Sequence, residues 1–140
     1  MDPTTNGDGL SPAEERTWAM LAHLSILTNL ITGMLGPVIA WGIYLVYRDR
    51  SRYVAEQALQ SFLFQLVWWV GGGLLAGIAF AVSGIFSVFF IGLLCLPFAC
   101  LLSLIPLGAL VYGGVGAVQA SQGQDFEYWL IGDWTHRILA

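Results

Sequence analysis

Three polar side chains recur at helical spacing where a long apolar stretch begins. Gln57, Ser61 and Gln65 are four residues apart, so a helix places them in one stripe. Polar groups surrounded by apolar residues must find partners inside the protein. We therefore expect the stripe to face protein and to form interhelical hydrogen bonds. The alternative is that it lines a hydrated path together with His23 and Asn29, the polar residues of an earlier apolar stretch.

His23 is the ionisable side chain within the apolar stretch 18–47. Such an imidazole can bind the iron of a haem, bind a pigment or carry protons. No second ligand lies nearby in sequence, so a packing role is favoured over ligation. Cys95 and Cys100 are five residues apart, which on a helix separates them by about 140° and prevents a shared metal site.

Motifs of known catalytic chemistry are absent from the sequence. It contains no nucleophilic-serine, zinc-binding or phosphate-binding motif, and no acidic pair lies in an apolar stretch. We predict that the chain is not an enzyme and has no catalytic residue, metal site or cofactor.

Small residues recur every fourth position in both long apolar stretches. Such faces let membrane helices approach closely. We predict that these two faces pack against each other or against a partner helix. The first face is Gly73, Gly77 and Ala81, and the second is Ala109, Gly113 and Ala117.

Composition places the chain in a membrane. Hydrophobic residues make up 57% of the 140 residues, charged residues only 10%, and the mean hydropathy is +0.74. Soluble domains carry roughly a quarter charged residues, so lipid must be the main solvent. The net charge of −4 and the small number of basic residues argue against a nucleic-acid partner.

The apolar stretches predict an all-α, polytopic membrane protein with about four transmembrane helices. Residues 18–47 would run about 45 Å as one helix, longer than a hydrocarbon core of about 30 Å. The Gly36-Pro37 step favours a hairpin of two short helices, although one long tilted helix stays open. Residues 53–82 form the next span, Gly84 to Gly92 a turn, and 93–119 the last span.

The two ends differ from the helical part, which we place at residues 12–120. Residues 1–11 predict a flexible acidic tail without a cleaved signal, and Ser11-Pro12-Ala13-Glu14 predicts a capped helix start. Residues 121–140 combine polar and aromatic side chains, which predicts a segment lying along the membrane interface.

The positions of the arginines predict how the chain is oriented in the membrane. The positive-inside tendency places basic residues in the cytoplasm, and four spans would bring them all to one side. We expect both termini to be cytoplasmic in a bacterial cytoplasmic membrane. These topogenic residues are Arg16, Arg48, Arg50, Arg52 and Arg137.

The runs ERTWAMLAHLS, GPVIAW, YVAEQALQSF and AVQASQGQDFEYW cover most of the chain. They resemble a bacterial family of small uncharacterised membrane proteins related to the Tic protein-import channel of chloroplasts. Val54 stands where that family favours histidine, and Trp129 where proline is usual. The resemblance implies a four-helix fold with cytoplasmic termini. The matching residues are Ala22, His23, Leu24, Pro37, Trp41, Ala55, Gln57, Ala58, Ala117, Ala120, Gly123, Phe126 and Tyr128.

These observations favour an accessory or structural subunit that contacts membrane lipids and packs against other membrane proteins or a second copy of itself. A translocation or conduction component resembling the Tic channel is the first alternative. A pigment- or haem-binding subunit that uses His23 is the second.

Overall fold

The computed structural model describes residues 9–139, and every regular element in that range is helical. The prediction of an all-α chain is confirmed for these residues. The first eight residues of the predicted acidic tail lie outside the described range. In chain order the helices are α1 (Pro12–Leu24), α2 (Asn29–Thr32), α3 (Leu35–Tyr47), α4 (Arg52–Phe64), α5 (Gly72–Phe86), α6 (Ile91–Leu102), α7 (Leu104–Ser121) and α8 (Gly132–Leu139).

The first helix begins at the predicted cap. Ser11 Oγ accepts from the Glu14 backbone N–H at 3.3 Å, and Glu14 Oε2 accepts from the Ser11 backbone N–H at 2.8 Å. Pro12 occupies the first helical turn, where its missing N–H costs no hydrogen bond. The capping box therefore sets where α1 begins.

Residues 18–47 form a hairpin rather than one helix. A 3₁₀ segment joins α1 to α2, which ends at Thr32, and Gly33 then takes a φ of 80° that favours glycine. The chain returns through α3 until Ser51 Oγ donates to Glu15 Oε1 at 2.6 Å. The start of α1 and the end of α3 therefore lie at the same end of the molecule.

Two longer helices follow this first hairpin. A π-helical segment, Gln65–Gly71, joins α4 to α5, so helix continues over 38 residues from Arg52 to Phe89. The second continuous helix, Ile91–Ser121, has 31 residues. Both are long and apolar enough to cross a bilayer, whereas the 13 residues of α3 extend only about 20 Å.

The turn between the long helices is tighter than the predicted Gly84 to Gly92 loop. Helix continues through Gly84, and the chain reverses at Phe90 with a φ of 59°. A Cβ at Gly92 would overlap the Ser83 carbonyl oxygen, so only glycine allows the backbones to approach this closely. Close packing lets α6 begin at Ile91.

The first hairpin reaches only half the length of the long helix. Its tip lies beside Trp69, whose Nε1 donates to the Gly33 carbonyl at 2.7 Å. Beyond that level α5 packs chiefly on α6, and we call this pair the apical hairpin. Its outward side chains are apolar and largely exposed, among them Leu74, Ile85, Phe89, Leu94 and Phe98.

Gly92→Ala should destabilise the apical hairpin by about 1–3 kcal/mol, because backbone atoms must move to admit the methyl group. Thermal unfolding in detergent measures the change. Gly84→Ala is the matched control, since a Cβ there meets no atom within 4 Å. Equal melting temperatures for the two variants would contradict the assigned contact.

Candidate functional site

The five polar residues singled out in the sequence lie together where the first hairpin meets α4. His23 lies in the last turn of α1, Asn29 begins α2, and the Gln57, Ser61 and Gln65 stripe faces them from the long helix. All five side chains are buried, with at most 2% of their surface exposed. We call them, with the residues bonded to them, the polar network.

Gln65 joins the first hairpin to the long helix. Its Nε2 donates to Ser25 Oγ at 2.9 Å and to Ser61 Oγ at 3.0 Å, while its Oε1 accepts from Asn29 Nδ2 at 3.2 Å. Asn29 Oδ1 in turn accepts from the Gly36 backbone N–H at 2.7 Å, which ties in the start of α3. One amide therefore connects three helical segments.

His23 uses both ring nitrogens within the protein. Its Nε2 lies 2.9 Å from Gln57 Oε1, and its Nδ1 lies 2.9 Å from the Tyr128 hydroxyl. Because an amide oxygen only accepts, Nε2 donates to Gln57, and in the neutral ring Nδ1 accepts from Tyr128. Iron or pigment ligation by His23 would require one of these hydrogen bonds to break.

The C-terminal segment completes the polar network. Gln57 Nε2 donates to Asp125 Oδ1 at 2.9 Å and to the Phe126 carbonyl at 3.1 Å. Gln60 Oε1 accepts from the Tyr128 backbone N–H at 3.2 Å. The loop after α7 is thus held by side chains of α4.

Aromatic packing explains why part of this segment is not at the surface. Tyr128 stacks on Phe64 with ring centroids 4.0 Å apart, and Tyr112 meets it edge-on at 5.2 Å. Phe126 and Tyr128 are buried, which differs from the expected interfacial position, whereas Trp129 and Trp134 are exposed. The sequence pattern does not reveal the aromatic socket, because its walls come from α4 and α7.

The sequence did not place Gln60, Asp125 or Tyr128 in the polar network, although Tyr128 is among the residues that carry the family resemblance. Gln60 is three residues after Gln57 and so shares its helical face, a signal that could have been used. Its Nε2 has no hydrogen-bond partner within the part of the chain that is described. Asp125 and Tyr128 could not be placed from local spacing, since their partners lie more than sixty residues away.

Charged groups gather at one end of the molecule. Arg16 lies against Gly123 after α7, and the turn that holds Arg48, Arg50 and Arg52 adjoins Glu15 through Ser51. Arg137 lies on α8, which packs on α4.

Among the described residues, three ion pairs involve side chains at this charged end. Arg48 pairs with Asp49 at 3.3 Å, Arg52 with Glu56 at 2.8 Å, and His136 with Glu127 at 2.7 Å. The hydrogen bond that His136 donates to the Glu127 carboxylate raises the pKa of His136 above its ordinary value.

The two small-residue faces have different surroundings. A Cβ at Gly113 would lie 2.9 Å from Ile26 Cγ2, and Ala109 and Ala117 are buried on the same side, so this face of α7 packs on the first hairpin. A Cβ at Gly73 or Gly77 meets no atom within 4 Å. The two faces therefore do not meet within one chain.

The seam of the apical hairpin uses neighbouring small residues, one position away from the expected face on α5. Ala76 and Ser83 are buried there, opposite Gly92 and Ala99 of α6, whereas Gly72 is buried against Ile105 of α7. Adjacent helical positions differ by about 100° in direction, so the expected face on α5 points away from α6. It stays a predicted contact with another helix.

Gln65→Leu should lower the free energy of unfolding by about 1–3 kcal/mol, because the amides and hydroxyls bonded to Gln65 lose partners in a buried site. Unfolding in detergent measures this loss. Gln122→Leu changes the same residue type at an exposed position and should have little effect. A stable Gln65→Leu variant would show that the polar network does not join the helices.

Nothing in residues 9–139 forms a group of three or more His, Cys, Asp or Glu side chains that could hold a metal ion. The MamF/MmsF family model, described as the magnetosome magnetite crystal formation protein family, matches residues 14–135. No curated protein and no solved structure matches the chain, and no comparison links it to the Tic channel. The family match includes the whole polar network, from His23 to Tyr128. The chain belongs to the magnetosome magnetite crystal formation protein family.

Proposed function

We propose that this chain is a non-catalytic integral protein of the magnetosome membrane that supports magnetite crystal formation by packing against other membrane helices. The observation that carries the packing role is the open face of Gly73 and Gly77. It lies on an apolar helix long enough to cross a membrane, and its own chain leaves it uncovered. Family membership supplies the process that such packing would serve.

Lipid-facing surface supports the membrane assignment. Large apolar side chains are exposed along the apical hairpin and also on the first hairpin, for example Ile31 and Val38. Contiguous apolar surface of this extent would not stay dispersed in water. The charged groups, by contrast, gather near the starts of α1 and α4 and around α8.

In the proposed topology, both termini and the arginine turn face the cytoplasm. Helices Arg52–Phe89 and Ile91–Ser121 make the complete crossings. The first hairpin enters from the cytoplasmic side and ends within the bilayer at the level of Trp69. Four helical stretches are then embedded in the membrane, and the two of the first hairpin do not reach its far side.

A conduction role resembling the Tic channel gains no support from the polar stripe. Gln57, Ser61 and Gln65 are buried and bonded to protein groups. Interhelical hydrogen bonding accounts for them without a hydrated path.

Single cysteines introduced into a Cys95→Ala, Cys100→Ala background test the topology. An impermeant thiol reagent should label Arg50→Cys from the cytoplasmic side and Phe89→Cys from the opposite side. Met34→Cys should be protected from both sides, because the tip of the first hairpin lies within lipid. Labelling of Met34→Cys from the far side would instead give four complete crossings.

Gly77→Leu should prevent a partner helix from binding without disturbing the chain's own fold, since a Cβ at position 77 meets no atom within 4 Å. We expect loss of co-purifying membrane proteins in mild detergent. In a deletion strain, the variant should fail to restore magnetite crystals, as seen by electron microscopy.

Gly42→Leu is the matched control, because Gly42 lies on α3 and is equally uncrowded. It should keep both the partners and the crystals. If Gly77→Leu behaves like this control, the packing proposal is wrong. Normal crystals in the deletion strain itself would refute the role in crystal formation.

A further inference from the structure

An open groove runs between the two long helices. Its volume is about 320 Å³, and its walls are apolar and aromatic. Along α7 it extends from Leu104 to Tyr112, eight residues or about 12 Å. The side chains that form it include Phe64, Trp68, Leu104, Gly108, Tyr112 and Trp129.

Trp129 closes one end of the groove and also borders a second, polar depression. That depression is lined by Glu127, Leu130, Gly132 and Asp133 as well as by Trp129. Trp129 itself is 76% exposed, and its backbone N–H donates to the Tyr112 hydroxyl at 3.4 Å. An apolar channel and an acidic mouth therefore meet at one indole.

This arrangement matches the two ends of a phospholipid. The groove offers surface to an acyl chain, and indoles favour the membrane interface, where chain and headgroup meet. At the mouth, the Asp133 carboxylate and the face of Trp129 favour a cationic group through charge and cation–π attraction. The Glu127 carboxylate beside them is already paired with His136 at 2.7 Å.

We propose that the groove binds one aminophospholipid, with an acyl chain between Trp68 and Tyr112 and the headgroup ammonium at Asp133 and Trp129. An anionic lipid such as phosphatidylglycerol lacks the ammonium and would meet the Asp133 carboxylate unfavourably. The site involves α7 and the C-terminal segment, so it is separate from the open glycine face of α5.

The site can be tested with the full chain in vesicles that contain phosphatidylethanolamine or phosphatidylglycerol with a photoactivatable acyl chain. Mass spectrometry then locates the labelled peptides. Phosphatidylethanolamine should label the segments around Tyr112 and Trp129 more strongly than phosphatidylglycerol does. Equal labelling by the two lipids would overturn the headgroup assignment.

Gly108→Leu should block the groove, because a Cβ at Gly108 meets open space and the longer side chain fills it. Labelling should fall roughly tenfold, which corresponds to about 1.4 kcal/mol of binding free energy. Gly114→Leu is the matched control on α7, equally uncrowded but outside the lining, and should label normally.

Two further variants keep the test decisive. Trp129→Ala removes an exposed side chain, so it should reduce labelling even if Gly108→Leu folds poorly. The Asp133→Asn variant should lose the preference for phosphatidylethanolamine, whereas Asp49→Asn, in the arginine turn, should keep it. If labelling is unchanged in both Gly108→Leu and Trp129→Ala, the reagent has labelled the chain from the surrounding lipid rather than from a bound lipid. That result would refute the site.

Discussion

The hydrogen bonds of Gln65 connect the parts of this protein that the apolar pattern alone would leave independent. In lipid, hydrocarbon chains offer no hydrogen-bond partner, and association of helices gains little from the hydrophobic effect. Three hydrogen bonds from one buried amide therefore matter more to the arrangement than the surrounding methyl groups. They set the depth at which the first hairpin stands against the long helix.

A second constraint acts through His23 and the C-terminal segment. The imidazole bonds simultaneously to Gln57 on α4 and to Tyr128 beyond α7, so three distant stretches of chain meet at one ring. Tyr128 also stacks on Phe64, which joins the polar network to the aromatic core. Loss of either interaction would free the loop that carries Trp129 and leave buried polar atoms without partners.

The long helix extends well past the first hairpin. From Trp69 to Phe86 the long helix extends about 26 Å beyond the tip of the first hairpin. The apical hairpin spans this length with little support from the rest of the chain. Its seam uses Ala76, Ser83 and Gly92, so the outward face with Gly73 and Gly77 stays available for another helix.

Much of the fold follows from local patterns in the sequence. Neighbouring residues, whose physical preferences act locally, determine several features. These are the capping box at Ser11, the helical class, the membrane environment and the break between Thr32 and Pro37. The Gln57, Ser61 and Gln65 stripe was also visible, because helical periodicity requires only the spacing of the residues along one element.

The tertiary structure alone decided which of these elements meet. Tyr128 lies in a socket built by Phe64 and Tyr112, the first hairpin reaches half the length of the long helix, and the seam of the apical hairpin uses Ala76 rather than Gly77. Each of these features involves residues from separate helices. For the seam, one helical position rotates a side chain by about 100°, and the sequence shows two plausible small-residue faces. Contact with α6 selects between them, because only one face can turn toward a helix whose start is set by the tight reversal at Phe90.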